Sequence, residues 1–107
     1  MCKLDHVAIA TTKFEETKEL FKKIGMNIDR ETGTIPTRQL WFYEGIQLKE
    51  VASMEHGTNV DHIALGTNDI EKTARIALSN GCSPDERGRN WFTLPNGTAI
   101  ELMRVEE

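Results

Sequence analysis

Two histidines in this chain of 107 residues stand in nearly identical local sequences. Histidine side chains are common metal ligands and general acids or bases, so a repeated histidine has chemical potential. His6 lies in Leu-Asp-His-Val-Ala-Ile-Ala, and His62 lies 56 positions later in Val-Asp-His-Ile-Ala-Leu-Gly. The match runs without a gap over residues 4–26 and 60–82 and includes polar identities. Amphipathic periodicity alone would not repeat the Asp-His pair, so the pattern indicates an internal duplication.

Each copy is predicted to begin with a strand and continue into a helix. The opening runs, residues 4–10 and 60–65, are short, rich in apolar residues and partly alternating, which is typical of half-buried strands. Helix starts are predicted by capping-box pairs, in which each side chain bonds the backbone N–H of the other residue. These pairs are Thr12 with Glu15 and Asn68 with Glu71. Gly25 and Gly81 predict the helix ends.

A hairpin is predicted in the second half of each copy. Trp41-Phe42-Tyr43 leads into a turn at Glu44-Gly45, and Trp91-Phe92-Thr93 precedes a turn at Asn96-Gly97. With a weak strand in 27–37 and another in 83–90, each copy has the order strand, helix, strand, strand, strand. The fold class is therefore α+β, with two tandem βαβββ modules at about 1–52 and 59–107. Because the chain is too short for two independent cores, the modules are expected to form one domain, 1–107.

Strand register predicts which polar residues of the two hairpins correspond. Ideal two-residue turns would place Gln47 opposite Phe42 and Glu101 opposite Phe92. Because Phe42 and Phe92 are equivalent through the shared Trp-Phe pair, Gln47 and Glu101 are predicted to be equivalent as well.

Strand parity predicts a metal site. If each helix covers one sheet face, His6 and Gln47 point away from the first helix, and His62 and Glu101 point away from the second. Two such sheets side by side would form a cleft with these four polar groups inside. Imidazoles suit Zn, Ni, Co or Fe, and oxygen ligands suit Mn, Co or Mg. A divalent ion bound by His6, Gln47, His62 and Glu101 is predicted, and the identity of the metal stays open.

Composition limits the kinds of partner. Thirteen basic and seventeen acidic residues give a net charge near −4, and no Lys/Arg block stands out, which disfavours nucleic acid and favours a small-molecule substrate. No run approaches the length of a membrane span, and the N-terminus opens into a strand instead of a leader. A soluble cytoplasmic protein is expected, with Cys2 and Cys82 as free thiols. A homodimer is expected.

The two strand openings and the closing strand Ala-Ile-Glu-Leu resemble the vicinal-oxygen-chelate superfamily. This superfamily includes glyoxalase I, methylmalonyl-CoA epimerase, fosfomycin-resistance enzymes, extradiol dioxygenases and bleomycin-resistance proteins. The resemblance covers nearly the whole chain, although the chain is shorter than typical members. It implies one metal ligand on the first and one on the last strand of each module, which falls on His6, Gln47, His62 and Glu101. The set His-Gln-His-Glu resembles that of the epimerases most closely.

The resemblance implies a metal-dependent isomerase or epimerase that moves a proton next to a carbonyl through an enediolate, with Glu101 as the base. A glyoxalase I-like lactoylglutathione lyase is the nearest alternative. A third alternative is a metal-free binding protein like the bleomycin-resistance group, in which Lys49 would replace the charge of the ion.

Several further polar and aromatic residues have no assigned role at this stage. Glu44 and Glu50 are candidate second acids, and Trp41 and Trp91 are interpreted as buried aromatics rather than pocket walls. His56 lies in the polar linker of roughly Val51 to Asn59 and is expected to be solvated. Four arginines are interpreted as scattered surface charge, with binding of coenzyme A phosphates or glutathione carboxylates as the alternative: Arg30, Arg38, Arg87 and Arg89.

Overall fold

Two helices and eight strands form the part of the chain that the computed structural model describes, residues 2–53 and 60–105. In chain order they are β1 (Lys3–Thr11), α1 (Phe14–Lys23), β2 (Ile28–Thr32), β3 (Gln39–Phe42), β4 (Ile46–Glu50), β5 (Val60–Thr67), α2 (Ile70–Ser79), β6 (Ser83–Pro84), β7 (Trp91–Thr93) and β8 (Ala99–Arg104). The predicted α+β class is confirmed, and the elements occur in the predicted order. Residues 54–59 of the predicted linker, including His56, lie outside the described residues.

The chain divides into two compact units. The first unit is Val7–Asp61, and the second unit combines Met1–His6 with His62–Glu107. His6 therefore belongs to the same unit as His62 and Glu101, whereas Gln47 belongs to the first unit. The assignment of one domain with modules at about 1–52 and 59–107, and the cleft between two sheets, stay predictions.

The first unit is a four-stranded sheet with α1 on one face. Its strand order is β2-β3-β4-β1, with β1 and β4 parallel and the other pairs antiparallel. Leu48 is fully buried and packs with Phe14 of α1, and Ile9 and Ile46 pack against the same cluster. Alternate residues of β1 and β4 therefore face the helix. Burying each large apolar side chain contributes roughly 1.5–3 kcal/mol, so this face holds the unit together.

The second unit repeats this arrangement with α2. Its strand order is β5-β8-β7-β6, and β5 runs parallel to β8. Ile100 and Leu102 are buried with Phe92 and Ala74 of α2, and Ile63 packs against them. Alternate residues of β5 and β8 therefore face the helix, and the residues between them face the opposite side of the sheet.

The predicted hairpin register is wrong by one residue in the first unit. Gln47 lies opposite Trp41 and not opposite Phe42. The register leaves three residues, 43–45, in the loop instead of two. Gly45 closes this loop with a φ of +103°, and its N–H donates to the carbonyl of Phe42 at 3.2 Å. A left-handed glycine at the end of a three-residue loop is a common alternative to the two-residue turn.

The second hairpin has the same shift. Glu101 lies opposite Trp91, because residues 95–97 form a three-residue loop that Gly97 closes with a φ of +94°. The bond from Leu94 N–H to Thr98 O, 2.9 Å long, marks the last pair before this loop. Both registers differ from the prediction by one residue in the same direction. Gln47 and Glu101 therefore remain at equivalent positions of the two hairpins.

The predicted helix caps are wrong. The helices begin at Phe14 and Ile70, so the N-cap positions fall on Lys13 and Asp69 and not on Thr12 and Asn68. Asp69 accepts a bond from the N–H of Lys72 at 3.1 Å, whereas Lys13 has no side-chain oxygen and makes no such bond. The glycine stops are confirmed, with φ of +106° at Gly25 and +101° at Gly81.

A repeated threonine pair ties each first strand to the helix that follows. Thr11 and Thr17 hydroxyls lie 3.2 Å apart in the first unit, and Thr67 and Thr73 hydroxyls lie 2.8 Å apart in the second. Thr11 also accepts from the N–H of Lys13 at 2.9 Å. These hydroxyls therefore occupy the entry to each helix, where the sequence pattern suggested a capping box.

Arg38 is held by acidic partners and is not scattered surface charge. Its Nε and Nη2 donate to the two carboxylate oxygens of Glu50 at 2.9 and 2.8 Å, and its Nη1 donates to Glu15 at 2.6 Å. The guanidinium also stacks on the ring of Phe14 at 4.5 Å. The bidentate bond from Arg38 lowers the pKa of Glu50, and Glu50 in turn raises the pKa of Arg38. Glu50 therefore has a structural role.

The lowered pKa of Glu50 predicts a contribution to stability that is lost in acid. A carboxyl group whose folded pKa lies below its ordinary value of 4.5 stabilises the fold above that pH. The contribution is lost as the pH falls through the folded pKa. Glu50→Gln is expected to lower the Tm at pH 7, with the difference from the wild type shrinking toward pH 3. Thermal unfolding followed by circular dichroism measures this, with Glu86→Gln in an exposed loop as the control. An equal Tm difference at both pH values would contradict it.

Two smaller sequence predictions concern the cysteines and the membrane. Cys2 and Cys82 are both free thiols, as predicted, and Cys82 packs against the core of the second unit. No helix among the described residues has the length and apolar character needed to cross a bilayer.

Candidate metal centre

Three side chains of the second unit converge in a group suited to a metal ion. They are His6 on β1, His62 on β5 and Glu101 on β8, and their ligand atoms all lie within 4.8 Å of one another. His62 is 5% exposed, and the side chains of His6 and Glu101 are 12% and 24% exposed. The group is thus largely shielded from water, with the carboxylate as its most accessible member.

The sheet presents Glu101 on the face opposite α2. Ile100 and Leu102, its neighbours on β8, are buried against the helix, so alternation turns Glu101 to the other side. Glu101 lies opposite Ala64 on β5 and opposite Trp91 on β7.

The carboxylate of Glu101 lies beside both imidazoles. Its Oε1 is 3.4 Å from His62 Nε2 and 4.0 Å from His6 Nε2. The two imidazole rings are nearly perpendicular, with centroids 5.5 Å apart and an interplanar angle of 76°. Ligands bound to one ion at about 2.1 Å are separated by roughly 3.0–4.2 Å, and both nitrogen–oxygen distances fall within that range.

His6 has its two ring nitrogens in different environments. Nδ1 lies 2.7 Å from Asp5 Oδ2, and Nε2 is buried without a hydrogen-bond partner in the described part of the chain. An unsatisfied buried polar atom costs about 1–3 kcal/mol, so it calls for an explanation. A cation placed between His6 Nε2 and the Glu101 carboxylate would satisfy both. The residues therefore fit a divalent ion, with two nitrogen ligands and one oxygen ligand.

Trp91 forms one wall of this group. Its ring contacts the His62 ring edge-to-face, with centroids 4.8 Å apart, and the guanidinium of Arg87 lies 4.4 Å above its indole. Trp91 is only half-buried, so its interpretation as a buried aromatic is incomplete. In the sequence, Trp91 stood out through the Trp-Phe pair that both copies share. Its contacts depend on the hairpin register, and the assumption of a two-residue turn predicted that register wrongly by one residue.

The fourth predicted ligand, Gln47, belongs to the first unit. It is 5% exposed, and its Nε2 donates to Oε1 of Gln39 at 2.9 Å. That bond uses the amide nitrogen and not the carbonyl oxygen, which is the atom that would bind a metal. Gln47 lies opposite Ala8 on β1, just as Glu101 lies opposite Ala64 on β5, and these two alanines are equivalent in the repeat. The equivalence of Gln47 and Glu101 thus holds in both neighbouring strands.

Two other charged residues of the first unit have partners within it. Lys49 forms an ion pair with Asp61, with Nζ 3.0 Å from Oδ2. Glu44 accepts from the backbone N–H and the side-chain amide of Asn27, both at 2.9 Å, and these bonds lower its pKa. Glu44 therefore braces the hairpin loop.

The fold is shared with solved structures of the glyoxalase-like class, although no protein-family model and no curated protein matches the chain. A mutant of glyoxalase I from Zea mays superposes with a TM-score of 0.58 at 17% identity, over 94% of this chain and 42% of that chain. The predicted glyoxalase-like fold, and with it the structural resemblance to the vicinal-oxygen-chelate proteins, is confirmed.

Methylmalonyl-CoA epimerases match over more of their own length. The enzyme from Mycobacterium tuberculosis superposes with a TM-score of 0.69 at 21% identity, over 97% of this chain and 88% of that chain. A variant of the Streptomyces coelicolor epimerase in complex with 2-nitronate-propionyl-CoA superposes with a TM-score of 0.66 at 22% identity, over 98% of both chains. Identities this low show the fold, and the activity has to be inferred from the site.

Proposed function

We propose that this protein is a metal-dependent epimerase that moves the α-proton of an acyl-coenzyme A thioester, in the manner of methylmalonyl-CoA epimerase. The observation that carries the proposal is the group of His6, His62 and Glu101, in which a buried imidazole nitrogen that has no hydrogen-bond partner among the described residues lies near a carboxylate. Two imidazoles and a carboxylate are suited to Zn, Ni, Co, Mn or Fe. Gln47 is proposed as the fourth ligand from its equivalence with Glu101.

Glu101 is proposed as the general base as well as a ligand. When bound, a divalent ion supplies charge stabilisation, since it can hold two neighbouring substrate oxygens and offset the negative charge of an enediolate. Glu101 is the most accessible of the three side chains and is acceptor-only when ionised, so its carboxylate can take the α-proton. Addition of a solvent proton to the other face of the same carbon inverts the stereocentre, and Glu101 then releases its proton to solvent. His6 and His62 are proposed as the nitrogen ligands that would hold the ion beside this carboxylate.

The structural match supports an epimerase over a glyoxalase I-like lyase, because the TM-score is 0.69 for the Mycobacterium tuberculosis epimerase and 0.58 for the Zea mays glyoxalase I. This chain spans 88% of the Mycobacterium tuberculosis epimerase but 42% of the Zea mays glyoxalase I. The bound 2-nitronate-propionyl-CoA of the Streptomyces coelicolor variant makes a coenzyme A thioester the first substrate to test.

The contacts of Lys49 argue against a metal-free binding protein. In that alternative, the lysine would replace the charge of the ion. Lys49 is instead ion-paired with Asp61 at 3.0 Å, which already balances its charge. The unsatisfied nitrogen of His6 also favours a site that needs a cation.

Metal content and proton exchange test the proposal together. We expect close to one equivalent of a divalent transition metal per chain, and deuterium incorporation from solvent into methylmalonyl-CoA. Less than about 0.1 equivalent after reconstitution would overturn metal dependence. Turnover of the methylglyoxal–glutathione hemithioacetal without exchange into methylmalonyl-CoA would replace the epimerase by a lyase.

A homodimer in the cytoplasm completes the proposal. The homodimer and the cytoplasmic location were both inferred from the sequence. Light scattering at micromolar concentration measures whether the protein is a homodimer. A mass of one chain would contradict the homodimer without affecting the proposed chemistry.

A further inference from the structure

The two Asp-His pairs of the repeat are identical in sequence but differ in the contacts of the aspartate. Asp5 Oδ2 lies 2.7 Å from Nδ1 of the adjacent His6. The equivalent carboxylate, Asp61 Oδ2, lies 3.0 Å from Nζ of Lys49. The sequence repeat does not predict this difference in contacts, because the residue types and spacings are the same in both copies.

We propose that Asp5 is a positioning residue that holds His6 in the tautomer with the proton on Nδ1, so that Nε2 presents its lone pair to a divalent cation. This inference deepens the proposed function and rests on it. An ionised carboxylate only accepts hydrogen bonds, so a contact of 2.7 Å requires the proton to be on Nδ1. Neutral imidazole has one protonated nitrogen, and Nε2 is then free to bind a metal.

The surroundings of Nε2 agree with this tautomer. Its nearest carboxylate oxygen, Glu101 Oε1, is 4.0 Å away, which is too long for a hydrogen bond, and Nε2 has no other partner among the described residues. A proton on Nε2 would therefore be buried without an acceptor. A lone pair on Nε2 would have a favourable interaction with a bound cation, which it otherwise lacks among the described residues. Carboxylates that bond the second nitrogen of a metal-binding histidine typically change metal affinity by about 10–100-fold.

The position of Asp5 also makes the inference testable. Its side chain is 40% exposed, so its replacement does not open a cavity in the core. Asp61 provides the matched control, because it too is an aspartate that directly precedes a histidine of the metal group. Replacement of Asp5 or Asp61 by alanine removes one negative charge directly before a histidine of the metal group.

The first measurement is the tautomer of His6 in metal-free protein, read from long-range nitrogen-15 correlations at a pH where imidazole is neutral. The wild type and Asp61→Ala are expected to show His6 protonated at Nδ1. Asp5→Ala is expected to shift the population toward protonation at Nε2, and Asp5→Asn, which retains an acceptor oxygen, to shift it less. Protonation at Nε2 in the wild type, or no change in Asp5→Ala, would overturn the proposal.

The second measurement is a titration with Co²⁺, followed by its visible absorption. Asp5→Ala is expected to weaken Co²⁺ binding by about 10–100-fold, with a smaller loss in Asp5→Asn. Asp61→Ala is expected to remain close to the wild type. Equal losses in Asp5→Ala and Asp61→Ala would show a general charge effect and contradict a positioning role. A wild type that binds no Co²⁺ would contradict the proposed function, and the tautomer measurement would still decide whether Asp5 orients His6.

Discussion

Glu101→Gln is expected to slow deuterium exchange into methylmalonyl-CoA by about 10²–10⁴-fold, the usual contribution of a general base. Glutamine keeps an oxygen that can bind a metal but cannot accept the α-proton at neutral pH. In this variant both equivalent positions carry glutamine, because Gln47 is the residue of the first unit that corresponds to Glu101. Metal affinity is therefore expected to fall much less than the exchange rate.

The measurement is the exchange rate by mass spectrometry, taken alongside the metal content of the same sample. Glu44→Gln is the matched control, because it makes the same chemical change at a carboxylate that is bound by Asn27. Its exchange rate is expected to stay near that of the wild type. Undiminished exchange in metal-loaded Glu101→Gln would assign the base to another residue.

Replacement of His62 is expected to remove most of the stabilisation that a metal gives the fold. A metal present at 100 times its Kd stabilises the wild type by about 2.7 kcal/mol. For a domain of this size, that corresponds to a rise in Tm of roughly 10–20 °C. Without His62 the group keeps one imidazole and one carboxylate, so the rise is expected to be small at the same metal concentration.

His62 also packs against Trp91, so its removal has a second effect that has to be separated. His62→Phe keeps an aromatic ring of similar shape at this buried position, whereas His62→Ala leaves a cavity. Both variants are expected to lose the metal-induced rise in Tm, and His62→Ala is expected to be less stable than His62→Phe in the absence of metal. A full metal-induced rise in His62→Phe would show that His62 is not a ligand.

Local patterns in the sequence were sufficient to predict the helices and strands and to identify which residues of the two copies correspond. Alternation in β1 and β5, the periodicity of the helices and the glycines at their ends depend on neighbours within a few positions. The equivalence of Gln47 and Glu101 was predicted correctly even though each register was wrong by one residue. It held because both hairpins close with the same three-residue geometry, so the same error entered both counts.

Features that depend on backbone detail were predicted less well. The dipeptides Glu-Gly and Asn-Gly are compatible with either loop length. A two-residue type I′ turn needs positive φ at both loop residues, but among the described residues only glycines have positive φ, so Gly45 and Gly97 close three-residue loops instead. The N-cap positions moved for a similar reason. Asp69 and Asn68 are both good cap residues, and only the backbone decides which of them immediately precedes the helix.

The sequence by itself determined that His6 and His62 are one residue seen twice, because a gapless repeat is a property of the chain alone. It also determined the strands that carry them, since alternation acts over short distances. Only the tertiary structure decided that both imidazoles meet Glu101, and that Asp5 bonds His6 while Asp61 pairs with Lys49. Such partners depend on how strands distant in the chain align, and two identical dipeptides acquire different contacts when the strands beside them differ.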